Sequence, residues 1–151
     1  MRVVIGGDGT SGATDILVQY LGDKGFQTEK QGALNAEQNS WIWPKTAHQV
    51  ALKVANGECD LGILLCWTGT GVSMVANKVR GVRAALCHDK ETAAGARKWN
   101  DSNILAISLR TCSEQIALEM IEAFLNTGPE PDKENQVCLA YLKSLDQNTS
   151  D

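Results

Sequence analysis

The chain alternates short apolar runs with longer stretches in which apolar residues recur every three or four positions. Arg2–Ile5 reads as a short β-branched strand, and Leu61–Leu65 as a buried strand ending at Cys66. Val82–Cys87 and Ile104–Ser108 are two further runs of this kind. Phe26–Lys30 is a weaker strand candidate, followed by polar, loop-like Gln31–Ser40. Helical spacing appears in Thr14–Lys24 (Ile16, Leu17, Tyr20, Leu21) and from Pro44 to about Asn56 (Ala47, Val50, Ala51, Val54). It returns in Glu91–Trp99, rich in small residues, and in Glu114–Leu125 (Ile116, Met120, Phe124). Pro44 suits a first helical turn, Ser113 is placed as a cap, and Gly25 and Asn56-Gly57 act as stops. Thr127–Pro131 is a linker, Lys133–Leu145 a last helix, and Gln147–Asp151 a polar tail.

Strands alternating with helices, with near-continuous apolar strands, predict a parallel sheet covered on both faces. The expected architecture is α/β, a Rossmann-like three-layer sandwich with a five-stranded parallel sheet. Residues 1–151 form a single domain in this reading. The last helix, set apart by the proline-containing linker, is free to pack on a partner subunit.

Composition narrows the function. A net charge of −4 argues against a nucleic-acid or membrane surface as the main partner but leaves room for a local anion pocket. The five cysteines are odd in number and contain no CxxC, which fits reduced thiols in a cytoplasmic protein. Two histidines, His48 and His88, are too few for a His-rich metal site, so no metal is expected. No N-terminal apolar run is long enough for a signal peptide or a membrane span.

The candidate chemistry gathers where strands end. After Cys66, the turn Trp67-Thr68-Gly69-Thr70-Gly71 leads into a helical pattern. In a parallel sheet, ligands bind outside the carboxyl ends of the strands. Amides at a helix start favour anions, and a thiol there becomes a usable base or nucleophile. Cys66 also reads as a small buried hydrophobe. Asp8 lies past the first strand on the same rim, as a turn or cap residue or as part of the site. Trp41 and Trp43 read as core or dimer packing, or as the cap of a pocket. His88 ends its strand on this rim, either capping the turn or acting in catalysis. The first glycine-rich loop lacks a convincing GxGxxG setting, so a dinucleotide site is a weak reading.

Three segments in order carry a resemblance: Asp60-Leu-Gly-Ile-Leu-Leu-Cys-Trp-Thr-Gly-Thr-Gly71, Ala76-Asn-Lys-Val-Arg-Gly-Val-Arg-Ala-Ala-Leu-Cys-His-Asp89, and Asn100-Asp-Ser-Asn-Ile-Leu-Ala106. Together they resemble the ribose-5-phosphate isomerase B / galactose-6-phosphate isomerase family, from about Met1 to Leu125. The resemblance implies aldose–ketose isomerisation of a phosphorylated sugar through a cis-enediolate, with no cofactor. It implies Cys66 as the base, Thr68 as a mover of protons between oxygens, and the amides of Gly69, Thr70 and Gly71 around the enediolate. It assigns Asp8, Trp67, Trp99, Asn100, Arg110 and Lys133 to substrate binding. It also implies a homodimer, or a tetramer of dimers, whose sites borrow residues from the neighbouring chain.

The departures are specific. Gly9 and Trp99 stand where the family has histidines, and the second of those is associated with opening furanose rings. Lys133 and Val137 fall where the family has phosphate-binding arginines. A tetrose 4-phosphate has its O4 esterified and needs no ring opening. The expected substrate is therefore short or already open-chain. The alternatives are a non-catalytic or half-site subunit of a heteromeric isomerase, and a phosphometabolite-binding module.

Overall fold

A computed structural model describes residues 1–146; the expected polar tail lies outside the described residues. The strands are β1 (Arg2–Gly7), β2 (Gln27–Gly32), β3 (Leu61–Cys66), β4 (Ala84–Cys87) and β5 (Ile104–Ser108). The helices are α1 (Gly12–Asp23), α2 (Trp43–Ala55), α3 (Thr70–Ala76), α4 (Lys90–Asn100), α5 (Glu114–Asn126) and α6 (Lys133–Leu145). All strand pairings are parallel, in the order β2-β1-β3-β5-β4. This is the three-layer α/β sandwich expected from the patterning.

Burial explains the order. The apolar β3 and β5 are buried throughout and occupy the centre. The polar Gln27-Thr-Glu-Lys-Gln-Gly32 lies at one edge and four-residue β4 at the other. Alternating side chains split the core. Val3, Ile5, Ile63, Leu65, Leu105 and Ile107 face α1, α4 and α5. Val4, Leu64, Cys66, Ile104 and Ala106 face α2 and α3. Gly6 and Gly62 let α2 lie close: Cβ atoms there would stand 2.8 and 3.1 Å from methyls of Val50.

Some boundaries differ from expectation. Helix α1 starts at Gly12, because Ser11 and Thr14 form a capping box, with Thr14 N–H donating to Ser11 Oγ. Thus Asp8 is not the cap. Strand β2 runs on through Gln31 and Gly32, because pairing with Gly6 and Gly7 extends the ladder past the polar side chains. Strand β4 begins at Ala84 rather than Val82. Asn77 takes the place of a neighbouring strand there, its side-chain amide accepting from Ala84 N–H and donating to Ala84 C=O, both at 2.8 Å.

Candidate active site

The winding of the sheet reverses between β1 and β3: β1 is followed by β2 on one side, and β3 by β4 and β5 on the other. Ligands favour the carboxyl ends of strands at such a point. Gly7 pairs with Leu65, which places Asp8 just past the end of β1 and Cys66 at the last residue of β3, on the same rim. Cys66 in turn pairs with Ser108. Cys66 and Ser108 thus stand level at the ends of β3 and β5, with Asp8 in the turn just past the neighbouring strand.

The turn after Cys66 is tightly held. Gly69 N–H donates to Cys66 Sγ at 3.2 Å. Gly69 adopts φ +74° and starts α3 as its N-cap. Leu109 N–H donates to Cys66 C=O, and Arg110 N–H to Trp67 C=O, each at 2.9 Å. Ser108 Oγ–H also donates to Trp67 C=O, at 3.1 Å. The β3 and β5 turns are therefore one unit, with the exposed Arg110 beside Trp67. Thr68 and Thr70 hydroxyls lie 2.7 Å apart. The amides of α3's first turn have no preceding helical carbonyls to bond, so they face outward.

Burial sets the electrostatics. Cys66 is 6 % exposed, whereas Trp67 is 64 % exposed. Burial pushes the Asp8 carboxyl above its ordinary range, partly offset by a hydrogen bond to its own backbone. At the end of β4, burial pushes the Cys87 thiol up to about 11, which leaves it protonated at neutral pH. Among the described residues, no group of three His, Cys, Asp or Glu side chains is arranged to hold a metal ion.

Two features were not read from the sequence. The Trp43 indole lies against Gly71, where a Cβ would stand 2.9 Å from its Cζ3. This joins the start of α2 to the start of α3, and Gly71 is the signal for it. Thr46, in the first turns of α2, buries a hydroxyl that lacks a hydrogen-bond partner. No sequence signal marks that orphan.

Trp99, Asn100 and Lys133 stand elsewhere. Helix α4 starts at the carboxyl rim and runs back for 11 residues, about 16 Å, so Trp99 and Asn100 reach the opposite rim. There Trp99 is 55 % exposed and lies over Gly95, where a Cβ would stand 2.6 Å from the ring. Its Nε1–H donates to Glu130 Oε2 at 3.2 Å, and Lys98 Nζ approaches Glu130 Oε1 at 3.1 Å. Asn135 Nδ2 donates to Lys98 C=O at 3.0 Å, which brings the start of α6, with exposed Lys133, to the same place. Asp101 pins this corner, pairing with Arg83 at 3.1 Å and Lys143 at 3.0 Å. In one chain the expected site thus falls into two groups: Asp8 and Cys66 through Gly71 with Arg110, and Trp99 with Asn100 and Lys133. Trp99, bonded to Glu130 at the end of α4, stands on the rim opposite Trp67.

The model of the Ribose/Galactose Isomerase family matches residues 3–140. The chain belongs to this family. Its relatives include ribose-5-phosphate isomerase B of Escherichia coli, 37 % identical over 120 residues, covering 80 % of this chain and 79 % of that one. They also include D-erythrulose-4-phosphate isomerase of Pectobacterium atrosepticum, 37 % identical over 129 residues, with 83 % of each chain covered. Ribose-5-phosphate isomerase B of Clostridium thermocellum superposes with a TM-score of 0.86 at 30 % identity, covering 99 % of this chain and 100 % of that one. Like these members of the ribose/galactose isomerase family, the chain is an isomerase.

Proposed function

We propose that this isomerase interconverts an aldose and a ketose of a short, open-chain sugar phosphate, a tetrose or tetrulose phosphate, with Cys66 as the base. The observation that carries this is Gly69 N–H on Cys66 Sγ at 3.2 Å, beside a helix start on the rim that also holds Asp8. The Cys66 thiolate removes the C2 proton, an enediolate forms, and the same proton returns to C1. Gly69 N–H stays on Cys66 Sγ, and the preorganised amides of Thr70 and Gly71 stabilise the charge that develops on oxygen. Thr68 passes protons between the two oxygens, Arg110 holds the anionic end, and Asp8 binds a sugar hydroxyl.

Two features favour an open-chain substrate. Gly9 offers no side chain, and the single polar hydrogen of Trp99 is already committed to Glu130. Neither position supplies a group that opens a furanose ring. A relative named D-erythrulose-4-phosphate isomerase supports the same reading.

The second group of residues serves the neighbouring subunit in a homodimer. Helix α6 supports this, packing on α4 through buried Leu139 while leaving Val137 and Tyr141 65 % and 70 % exposed. Sedimentation giving a monomer at micromolar concentration refutes the dimer.

The test of function is exchange of the C2 proton with solvent across tetrose, pentose and hexose phosphates, with Cys66→Ala as control. Exchange fastest on tetrose phosphate and lost in Cys66→Ala is expected. Equal rates on ribose 5-phosphate and erythrulose phosphate refute the short substrate. Protein inert alone but active with a paralogous chain identifies a half-site subunit instead.

A further inference from the structure

The two edges of the sheet are built differently. Edge strand β2 carries Glu29 and Lys30, charges of the kind that keep a sheet edge from taking another chain. Edge strand β4 is Ala84-Ala-Leu-Cys87, with no charge, and its Ala84, Ala85 and Leu86 are only half-buried. A trench runs along its outer side. At the amino end of β4 lies a cavity of about 640 Å³, lined by Asn77, Val79, Val82, Ala85 and Asn100 among others. A second, of about 280 Å³, continues past Ala85 and Leu86 along α4, where Gly95, Trp99 and Asn100 line it. An exposed apolar surface of this kind marks an interaction site.

The two halves of the divided site border this one strand at opposite ends. Toward the carboxyl end, Leu86 packs on the turn after Cys66, its Cδ1 2.5 Å from where a Gly69 Cβ would stand. Toward the amino end, Asn100 lines both cavities beside Ala85. Exposed charges follow the same polarity. Lys78 and Arg80 precede β4, whereas Asp89 and Glu91 follow it.

We infer that the trench along β4 is the surface on which a second copy of this chain docks, edge to edge and antiparallel. The inference rests on the homodimer reading above and names its surface. A two-fold axis crossing the strand near Ala85 exchanges the two ends of β4, and the contact is then the same patch on both subunits. It carries Trp99 and Asn100 of each copy toward the Gly69 turn of the other, so one contact completes two sites. It also sets Lys78 and Arg80 of each copy toward Asp89 and Glu91 of the other, opposite charges that fix the register. An axis at the β2 edge does neither, because Asn100 borders β4, four strand spacings or about 19 Å away.

The test combines sedimentation with C2-proton exchange on a tetrose phosphate. Ala85→Arg puts a long charged side chain into the trench. It should give a monomer at micromolar concentration and lower exchange about a hundredfold or more, because half of each site is then no longer in place. Ala85→Cys is small enough to leave docking intact. In a Cys138→Ser background, which removes the exposed native thiol, a short bismaleimide should join it into a covalent dimer, and Lys30→Cys on β2 should stay unjoined. If Ala85→Arg fails to fold, the cross-link decides alone. A dimer that survives Ala85→Arg with full exchange, or that cross-links through Lys30→Cys and not through Ala85→Cys, overturns the β4 surface and leaves the homodimer standing. Wild-type protein that sediments as a monomer overturns both.

Discussion

Gly69→Ala is the sharpest test of how the site is built. Gly69 has φ +74°, a region that costs an L-residue roughly 1–2 kcal/mol. Its new Cβ would stand 2.5 Å from Leu86 Cδ1, 3.0 Å from the Ile107 carbonyl carbon and 3.1 Å from Ser108 N. The leucine methyl can swing aside, but the β5 backbone is fixed by pairing on both edges. Overpacking of this kind costs about 1–3 kcal/mol. The total, about 2–5 kcal/mol, is a large part of a domain's usual 5–15 kcal/mol. Some of the strain is relieved by moving the turn, which takes Gly69 N–H away from Cys66 Sγ. The same movement displaces the adjoining Thr70 and Gly71 amides, and losing one oxyanion donor lowers kcat by about 10²–10³-fold. Urea unfolding should show a lower midpoint at unchanged slope, and C2-proton exchange should fall in the same variant. Gly9→Ala is the control: nothing lies within 4 Å of a Cβ there, so its stability should change by less than about 0.5 kcal/mol. If Gly69→Ala matches Gly9→Ala in both assays, the account of the turn is wrong.

Three further outcomes follow from the same geometry. Gly71→Ala drives a methyl onto the Trp43 ring, 2.9 Å from Cζ3, and should cost about 1–3 kcal/mol; in a double-mutant cycle with Trp43→Ala that cost should largely vanish. Burial raises the Asp8 pKa, so its contribution to stability is fully present below the ordinary carboxylate value of about 3.9 and is lost as pH rises through the folded value. Asp8→Asn should therefore raise the urea midpoint at pH 7 but not near pH 3, while lowering kcat; an equal gain at both pH values refutes the burial argument. The pair Gly9→His and Trp99→His restores imidazoles at both departing positions, and Gly9 has space for one. The ratio of exchange on ribose 5-phosphate to exchange on a tetrose phosphate should rise, and a constant ratio refutes the ring-opening explanation.

The core strands were legible because their chemistry is monotonous. Leu61–Leu65 and Ile104–Ser108 are apolar on both faces, and only a covered parallel sheet accommodates that. Edges were harder to read. The polar side chains of β2 hide a full ladder with β1, because backbone pairing there does not depend on apolar partners. At β4, Val82 has the right character for a strand, but Asn77 takes the backbone groups of Ala84 and sets the boundary. That bond joins residues seven apart through a side chain, and no periodicity encodes it.

The candidate site divides along a similar line. Asp8, Cys66 and the turn to Gly71 were legible because each follows a strand whose carboxyl end the pattern had already located. Trp99, Asn100 and Lys133 entered through resemblance alone, and local rules could not join them to Cys66. The reason is geometric: a crossover helix must return the chain to the amino-terminal rim before the next parallel strand can start. Any residue at the end of α4 is therefore carried about 16 Å away from the site at its beginning. For such a residue to meet Cys66, a second chain must bring it. Within each chain the local contacts already hold it ready: Glu130 holds the Trp99 indole, Asp101 ties α4 to α6, and Lys133 extends beside them without an ion-pair partner among the described residues. A corner made rigid yet left exposed, on the side away from the thiol, is what the proposed homodimer would require of each subunit.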